Sequence, residues 1–306
     1  MTFASAVARV HRPDPEFPVD PPIRITLPPP DRVRTALVLS SPHSGDIYPE
    51  SFRSASRLDP LTLRRSEDAF IHELYAAGPS LGAPLLEALF PRAYCDPNRS
   101  AYELDPAMFD APLPPHVQTE SGKIGAGLGT IARVVAGGLE IYKGKLPFAE
   151  AERRVETCWR PYHEALEKLL QEAKAQHGIA LLLDCHSMPS VGGSNQPDAG
   201  QRRADMVLGD FHGVSCAPRL VDRVEDYLKS CGFSTARNKP YAGGYITQHY
   251  TRRAEGFHTL QLEINRDLYM DEVQITRAGG FSRVQSAMTG LVELLTASAT
   301  PDFLNG

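Results

Sequence analysis

The sequence predicts an α/β protein, a three-layer fold in which a mixed, largely parallel central sheet is flanked by helices. Short apolar runs typical of buried strands alternate with longer segments whose apolar residues recur every three or four positions. The chain has 306 residues, of which 42% are hydrophobic and 23% charged. A chain of this length and composition can bury a large core.

The N-terminal region differs in composition from the rest of the chain. Residues 1–32 contain the proline-rich stretches "PDPEFPVDPP" and "LPPPD". Because proline lacks a backbone N–H and fixes φ, these stretches predict an extended arm with little helix. No later boundary or repeat is visible, so residues 33–306 are predicted to form a single domain.

The elements of that domain follow from apolar periodicity and from glycine and proline boundaries. In chain order they are a strand at 35–41, helical segments at 68–82 and 83–90, an irregular region at 91–147, a helix at 148–178, strands at 179–187 and 204–210, a helix at 219–232, a strand at 257–269 and a helix at 283–297. Gly178 suits the C-cap of the longest helix, and Pro161 predicts a kink within it.

Bulk properties disfavour several classes of partner. The formal net charge of −5 offers no basic field for nucleic acid or anionic lipid. No apolar run approaches the roughly 18 to 20 residues that span a membrane, and the N-terminus lacks a signal-peptide core. Five cysteines without a CxxC pair indicate reduced thiols and a cytoplasmic location.

Polar residues cluster at the ends of three predicted strands, where chemistry gathers in parallel sheets. His43 and Asp46 follow the strand at 35–41, His186 follows the run at 179–183, and Glu263 lies near the end of "HTLQLE". Two histidines and a carboxylate form a three-ligand set for catalytic zinc that leaves a position for water. Gly45 gives the backbone freedom to turn His43 and Asp46 toward one ion.

Each cluster also has a plainer interpretation. His43 and Asp46 could form a capped turn, and His186 could be an interior histidine beside Asp184, which shares its strand face. Glu263 could face solvent, opposite Leu262 and Ile264. The rival histidine ligands are His212, His249 and His258.

Five motifs along the chain together resemble the N-formylglutamate amidohydrolase family. They are "SSPHSGDIYP", "CDPNRSAYELDP", "LLLDCHSMPS", "NKPYAGGYITQHY" and "HTLQLEINRDLYMDE", in the family's order and spanning roughly residues 35 to 290. That family is similar to the zinc carboxypeptidases and aspartoacylases. The resemblance therefore implies a zinc-carboxypeptidase-like, phosphorylase/hydrolase-like fold.

The resemblance also implies roles for individual residues. His43, Asp46 and His186 correspond to the zinc ligands, and Glu263 corresponds to the glutamate that acts as general base and acid. Asn98 and Arg99 correspond to the pair that grips a substrate carboxylate, although Pro97 stands where the aspartoacylases have leucine. A turn with a surface ion pair is the plainer interpretation of Asn98 and Arg99.

The implied activity is zinc-dependent hydrolysis of N-formylglutamate to formate and glutamate, at the end of histidine breakdown. Cobalt, iron or manganese also suit two imidazoles and a carboxylate. The expected partner is a small acidic N-acyl amino acid, with no nucleic acid or membrane. This substrate has two carboxylates, and Arg133 is the candidate for the second cation, with Arg252 and Arg253 behind it.

Three further residues are candidates for substrate contacts. Ser187 is placed to donate a hydrogen bond to the substrate, and Tyr241 or Tyr245 could close over it on the loop that contains Gly243 and Gly244. A glycine pair is more often a simple turn. Neither a phosphate loop nor a serine hydrolase is indicated, since "GAGLGT" lacks a Gly-Lys-Ser/Thr ending and no Gly-x-Ser-x-Gly motif is present.

Two further functions remain open at this point. The same machinery could act on a different amide, as a related deacylase, an N-formylmaleamate-type deformylase or a carboxypeptidase. A non-catalytic dicarboxylate-binding protein on the same fold could use Arg99 and Arg133, although it would have no need of Glu263 as a proton shuttle.

Overall fold

A mixed seven-stranded sheet forms the centre of the molecule. The computed structural model describes residues 17–193 and 196–305, so the first half of the predicted arm lies outside the described residues. The strands are β1 (Ile23–Thr26), β2 (Leu37–Ser41), β3 (Leu85–Ala88), β4 (Val134–Val135), β5 (Leu139–Glu140), β6 (Ala180–Met188), β7 (Met206–Gly209), β8 (Thr235–Arg237), β9 (Phe257–Asn265), β10 (Met270–Asp271) and β11 (Thr276–Arg277).

The order of the central sheet is β1–β3–β2–β6–β9–β7–β8. Strands β3, β2, β6 and β9 run parallel to one another. Strand β1 is antiparallel to β3 at one edge, and β7 is antiparallel to β9 near the other, with β8 parallel to β7. The predicted mixed, largely parallel sheet is therefore confirmed, and β4–β5 and β10–β11 form two small hairpins beside it.

Ten α-helical segments surround the sheet in the described part of the chain. They are α1 (Glu50–Ala55), α2 (Pro60–Leu63), α3 (Ile71–Leu74), α4 (Gly122–Gly125), α5 (Phe148–Arg154), α6 (Arg160–His177), α7 (Pro218–Ser230), α8 (Tyr245–His249), α9 (Phe281–Ser298) and α10 (Pro301–Asn305). Single 3₁₀ turns occur at Arg64–Ser66, Pro79–Leu81, Pro106–Met108, Arg253–Glu255 and Arg266–Leu268.

Strand alternation divides the core into two layers. Odd-numbered residues of β6, such as Leu181 and Leu183, pack with α3, α7 and α9 on one face. Even-numbered residues such as Leu182 pack with α6 on the other face. Because successive side chains of a strand point to opposite faces, both faces are buried and helices flank the sheet on either side.

The long helix predicted at 148–178 is present but interrupted. Helices α5 and α6 are joined by a π-helical turn at Val155–Trp159, immediately before Pro161. Proline has no N–H to donate to the carbonyl oxygen four residues before it. The wider π-helical turn accommodates this missing hydrogen bond. Gly178 ends α6 with φ of 74°, which confirms the predicted cap.

The helical prediction for 83–90 is wrong, because residues 85–88 form the buried strand β3. A fully buried run of four residues carries no period that separates strand from helix, and Pro84 and Pro91 bound it closely. Strand β1, within the predicted arm, pairs with β3, so residues 23–26 add an edge to the sheet.

Within residues 17–193 and 196–305, no helix is both long and apolar enough to cross a membrane.

Candidate metal and catalytic site

Three side chains meet where the parallel strands end. His43 follows β2 by two residues, while His186 and Glu263 lie near the carboxyl ends of β6 and β9. The register pairs His186 directly with Glu263 on the neighbouring strand. Directly opposed residues on adjacent strands present their side chains to the same face, so the sheet itself brings these two groups together.

A buried triangle of ligand atoms lies at this edge of the sheet. The Nδ1 atoms of His43 and His186 are 3.1 Å apart, and Asp68 Oδ2 lies 3.2 Å from the first and 3.1 Å from the second. All three side chains are at most 2% exposed. Asp68 reaches this position because its backbone N–H donates to the His43 carbonyl oxygen at 3.0 Å.

This triangle fits a divalent metal ion. Ligand bonds of about 2.0–2.1 Å in a tetrahedral site place the ligand atoms roughly 3.3 Å apart. The outer nitrogens of both rings also face carboxylates. His43 Nε2 is hydrogen-bonded to Asp96 Oδ1 at 2.7 Å, whereas His186 Nε2 lies 3.0 Å from Asp184 Oδ2 as an ion-pair contact outside hydrogen-bond geometry. Carboxylates behind ligand histidines fix the ring orientation and raise ligand basicity. Within the described residues this is the single His/Cys/Asp/Glu group that could hold an ion.

Neighbouring histidines and Arg266 keep the buried carboxylate of Asp68 ionised. Burial alone would raise the pKa of Asp68, but hydrogen bonds from His186 and His43 and the charge of Arg266 hold it well below its ordinary value. Arg266 Nη2 donates to Asp68 Oδ1 at 2.9 Å. An ionised carboxylate is the form that binds a metal.

In the structure, the carboxylate that lies beside His43 and His186 belongs to Asp68 and not to Asp46, the residue expected from the sequence. Asp46 is exposed and lines a separate cavity together with Arg64 and Glu67. The chain packs closely just before it, since a Cβ at Gly45 would lie 2.3 Å from the Phe90 carbonyl oxygen. The turn therefore buries His43 and leaves Asp46 outside.

The rival histidine ligands lie away from this triangle. His212 and His249 are exposed, His258 is buried, and none of the three belongs to the His–Asp–His group. Asp184 and His186 do share a strand face, since they are two residues apart on β6. His186 is therefore an interior histidine beside Asp184 and a candidate ligand at the same time.

Glu263 is buried beside this group and does not face solvent. Its Oε1 accepts a hydrogen bond from Gln261 Nε2 at 3.0 Å. Burial raises the pKa of Glu263 to about 7, a rise that His186 opposes and Asp68 reinforces. A carboxyl group whose pKa lies near neutrality is suited to take up and return a proton.

A cavity of about 270 Å³ opens onto these groups. Among the predicted site residues, those that line it are His43, Asn98, Arg99, His186, Ser187, Tyr241 and Glu263. Gln261 and the cationic residues Arg65, Arg92, Lys123 and Arg266 line it as well. The cavity therefore combines a carboxyl group, the candidate metal group and an excess of positive charge.

Asn98 and Arg99 are buried rather than part of a surface turn. The Asn98 Oδ1 accepts from the Ile246 N–H at 2.8 Å. Arg99 donates through Nε to the Leu128 carbonyl oxygen at 2.7 Å and through Nη1 to the Asn98 carbonyl oxygen at 2.6 Å. Its Nη2 lies 3.8 Å from Asp96 Oδ2, beyond hydrogen-bond distance. These bonds hold the guanidinium in place on the cavity wall.

Two predicted substrate-contact residues lie outside this cavity. Arg133 donates to Asp105 at 2.7 Å and lines a different cavity with Glu140, so nearby carboxylates already pair its charge. Tyr245 stacks on His249 at a centroid distance of 4.9 Å. The alternative candidates for the second cation are also engaged: Arg252 donates to Glu167, and Arg253 donates to the Gly213 carbonyl oxygen.

Ser187 and Tyr241 do line the cavity, and both are already engaged. Ser187 Oγ accepts from Arg266 Nε at 3.2 Å. The Tyr241 hydroxyl accepts from Gln196 Nε2 and Arg203 Nη1, each at 3.2 Å. Tyr241 is thereby tied to the segment that follows β6.

Several site residues were missed from the sequence. Asp96 lies within the quoted motif "CDPNR", and Gln261 shares its strand face with Glu263, so both had a usable signal. No sequence signal indicated Asp68, because it lies on a separate turn and so has no fixed spacing from His43. Arg92, Lys123 and Arg266 likewise come from three unrelated segments.

The fold and the site together define a class of protein. A buried His–Asp–His group, a buried glutamate and an arginine-rich cavity at the carboxyl edge of an α/β sheet are typical of metal-dependent hydrolases. The family model described as "N-formylglutamate amidohydrolase" matches residues 35–270. The chain belongs to this family.

Individual relatives agree with that assignment. The chain is 31% identical to N-formylglutamate deformylase of Pseudomonas putida, over 79% of this chain and 84% of that protein. The enzyme of the same name from Pseudomonas aeruginosa gives the same identity and coverage. A crystal structure of N-formylglutamate amidohydrolase from Ralstonia eutropha JMP134 matches with a TM-score of 0.83 at 37% identity, covering 90% of this chain and 98% of that one.

Proposed function

We propose that this protein is a metal-dependent amidohydrolase that cleaves N-formylglutamate to formate and glutamate. The family and the names of its relatives support the substrate. One observation carries the mechanism: Glu263 is paired in register with His186, whose Nδ1 belongs to the candidate ligand triangle. A proton carrier and a metal group thus face one cavity.

In this proposal, His43, Asp68 and His186 hold the ion. When bound, a divalent metal would polarise the formyl carbonyl and lower the pKa of water. Zinc suits the nitrogen-rich donor set best, and cobalt, iron or manganese also suit it. The carboxylates Asp96 and Asp184 keep the two rings oriented with Nδ1 toward the ion.

Glu263 carries the proton that the reaction must move. It accepts a proton from the attacking water as the water oxygen bonds to the formyl carbon. It then delivers this proton to the amide nitrogen, the C–N bond breaks, and glutamate leaves with a free amino group. The second proton of the water is lost when the formic acid formed in this step ionises to formate. Gln261 orients the carboxyl group by donating to its Oε1.

Arg99 binds the α-carboxylate of the substrate. A planar guanidinium forms strong charge-assisted hydrogen bonds to a carboxylate. Since Arg99 is held by the carbonyl oxygens of Leu128 and Asn98, it needs little reorganisation on binding. Ser187 and Tyr241 line the same cavity and complete the polar wall.

Two broader expectations belong to this proposal. The parallel sheet with its site at the carboxyl edge supports a relation to the zinc carboxypeptidases. A cytoplasmic location is supported by the odd number of cysteines without a CxxC pair.

The test compares Glu263→Gln with the wild type and with Glu293→Gln, an exposed residue on α9. We expect Glu263→Gln to retain metal by elemental analysis and to lose about 10²- to 10⁴-fold in formate release, the usual contribution of a general base. Glu293→Gln should match the wild type in both measurements. Full formate release by Glu263→Gln would remove the proposed proton carrier.

The substrate is tested with competing amides. We expect N-formylglutamate to be hydrolysed with a higher kcat/KM than N-acetylglutamate or a peptide with a C-terminal glutamate. A higher value for either competitor would assign the same machinery to a deacylase or a carboxypeptidase. Tight binding of glutamate without turnover of any amide would indicate a binding protein.

A further inference from the structure

Three of the cationic side chains that line the cavity face carboxylates of the protein itself. Arg92 Nη2 donates to Asp96 at 2.9 Å, and Arg266 Nη2 donates to Asp68 at 2.9 Å. Arg99 has its Nη2 3.8 Å from Asp96. The protein therefore supplies counter-charges for these three arginines.

Two further cations line the cavity without such a partner. The side chains of Lys123 and Arg65 make no hydrogen bond or ion pair to any residue of 17–193 or 196–305. A cationic group on a cavity wall that already holds other cations attracts an anionic ligand. One or both of these side chains can therefore bind an acidic group of the substrate.

The backbone joins Lys123 to Arg99. Lys123 lies on α4, where Ser121 Oγ accepts from the Ile124 N–H at 3.0 Å. The Leu128 N–H donates to the Lys123 carbonyl oxygen at 2.8 Å, and the Leu128 carbonyl oxygen accepts from Arg99 Nε at 2.7 Å. The turn from Lys123 to Leu128 thus carries the Lys123 side chain and also binds the Arg99 guanidinium through the Leu128 carbonyl oxygen.

The charged residues of the cavity act directly on Lys123. Lys123 is still exposed to solvent, but the loss of hydration at the cavity wall lowers its pKa. The positive charges of Arg99 and Arg92 lower it further, while the carboxyl groups of Asp96 and Glu263 raise it. Lys123 therefore shares the local field of the arginines within the cavity. Arg65 differs in its surroundings, because its backbone carbonyl oxygen accepts from Arg266 Nη1 at 3.1 Å, on the side of Asp68.

We propose that Lys123 binds the side-chain carboxylate of the substrate and thereby selects acidic N-formyl amino acids over neutral ones. This inference rests on the proposed function, in which Arg99 binds the α-carboxylate. Asp96 contacts both His43 and Arg99, so Arg99 lies one residue away from the candidate ligands. The α-carboxylate stays beside the amide that reacts, whereas the side-chain carboxylate lies two methylene groups farther away, and we assign it to Lys123 on the opposite end of the turn that holds Arg99.

Calorimetry on the metal-loaded protein tests this inference without turnover. Glutarate carries both carboxylates of glutamate, and glutaramate replaces one of them with a neutral amide of the same shape. We expect the wild type to bind glutarate about 10- to 100-fold more tightly, as for a hydrogen bond between charged groups. Lys123→Met should bind both ligands with the weak affinity of glutaramate, and Lys123→Arg should restore part of the difference.

Two matched variants serve as controls. Lys145→Met removes an exposed lysine that lies outside the cavity-lining residues, and it should keep the full preference for glutarate. Arg65→Gln should also keep that preference. A preference that survives in Lys123→Met, that disappears in Arg65→Gln instead, or that the wild type lacks would overturn the role of Lys123.

Turnover separates this inference from the proposed function. We expect Lys123→Met to lose about 10- to 100-fold in kcat/KM for N-formylglutamate and to match the wild type for N-formylglutamine. An equal loss on both substrates would show a structural role and refute selectivity. If the wild type releases formate from neither substrate, the proposed function fails, and the glutarate measurement still decides the role of Lys123.

Discussion

Two regions build the candidate site, and they hold their side chains in different ways. His186 and Glu263 lie on the paired strands β6 and β9, whose continuous ladder extends from residue 180 to residue 188. Asp68 and the segment 96–99 lie on loops outside the sheet. In the strand region the backbone ladder fixes the side chains, whereas in the loop region side chains fix the backbone.

The hydrogen bonds of the loop region show this dependence. The Asn98 N–H donates to Asp96 Oδ1 at 2.8 Å, and the Trp159 indole N–H donates to the Arg99 carbonyl oxygen at 2.9 Å. His163 Nε2 lies 2.9 Å from the Pro97 carbonyl oxygen. A substitution on a strand therefore removes one group, whereas a substitution among these supports also moves its neighbours.

The largest effect is expected for the loop ligand. Asp68→Asn removes the charge that faces both histidines and Arg266 while it keeps the shape of the side chain. We expect metal affinity, measured by competition with a chelator, to fall by more than about 100-fold, beyond the 10- to 100-fold typical of groups behind the ligands. Formate release should fall in parallel.

Asp46→Asn is the matched control for this prediction. Asp46 is exposed and lines a different cavity, so its amide variant should keep both metal and activity. The opposite pattern, with metal lost in Asp46→Asn and kept in Asp68→Asn, would restore the ligand set expected from the sequence.

The same contrast explains what the sequence could predict. Strand alternation and the carboxyl-end rule were sufficient to place His186 and Glu263 together, because sheet geometry is regular. The local spacing from His43 to Asp46 suggested a ligand pair, yet the chain turns the second residue outward. Asp68 is delivered by a 3₁₀ turn and a backbone bond to His43, and no periodicity encodes such a contact.

The carboxylates behind the two histidines sharpen the comparison. Asp184 supports His186 from within β6, whereas Asp96 supports His43 and also bonds to Arg92 and the Asn98 N–H. We expect Asp184→Asn to lower metal affinity by about 10-fold, near the lower end of the range for such groups. Asp96→Asn should lower it by about 100-fold and also raise KM, because it loosens the segment that carries Arg99.

A chelator titration and steady-state kinetics on both variants measure this difference. Equal losses in metal affinity with an unchanged KM for Asp96→Asn would show that the loop and strand supports act alike. Circular dichroism should confirm that both variants retain the wild-type content of helix and strand.

The smallest effect concerns His163, which supports the segment 96–99 through the Pro97 carbonyl oxygen. Pro97 O is an acceptor only, so His163 carries its proton on Nε2 and its Nδ1 accepts from the Tyr250 hydroxyl at 2.8 Å. Burial lowers the pKa of His163 to about 3. The folded state thus keeps this ring neutral, whereas an unfolded chain protonates a histidine near pH 6.5.

This difference predicts how stability depends on pH. Between pH 6.5 and about 3 the unfolded state binds one more proton at His163, so the contribution of this ring is complete above pH 6.5 and is lost as the pH falls. In that window the free energy of unfolding of the wild type should fall by up to about 1.4 kcal/mol per pH unit more steeply than that of His163→Gln.

Denaturant unfolding at pH 7, 6 and 5 in the presence of a chelator measures both slopes without a contribution from metal release. His116→Gln, which removes an exposed histidine, should keep the wild-type slope. Parallel curves for the wild type and His163→Gln would mean that the loop does not depend on a neutral ring beneath Pro97.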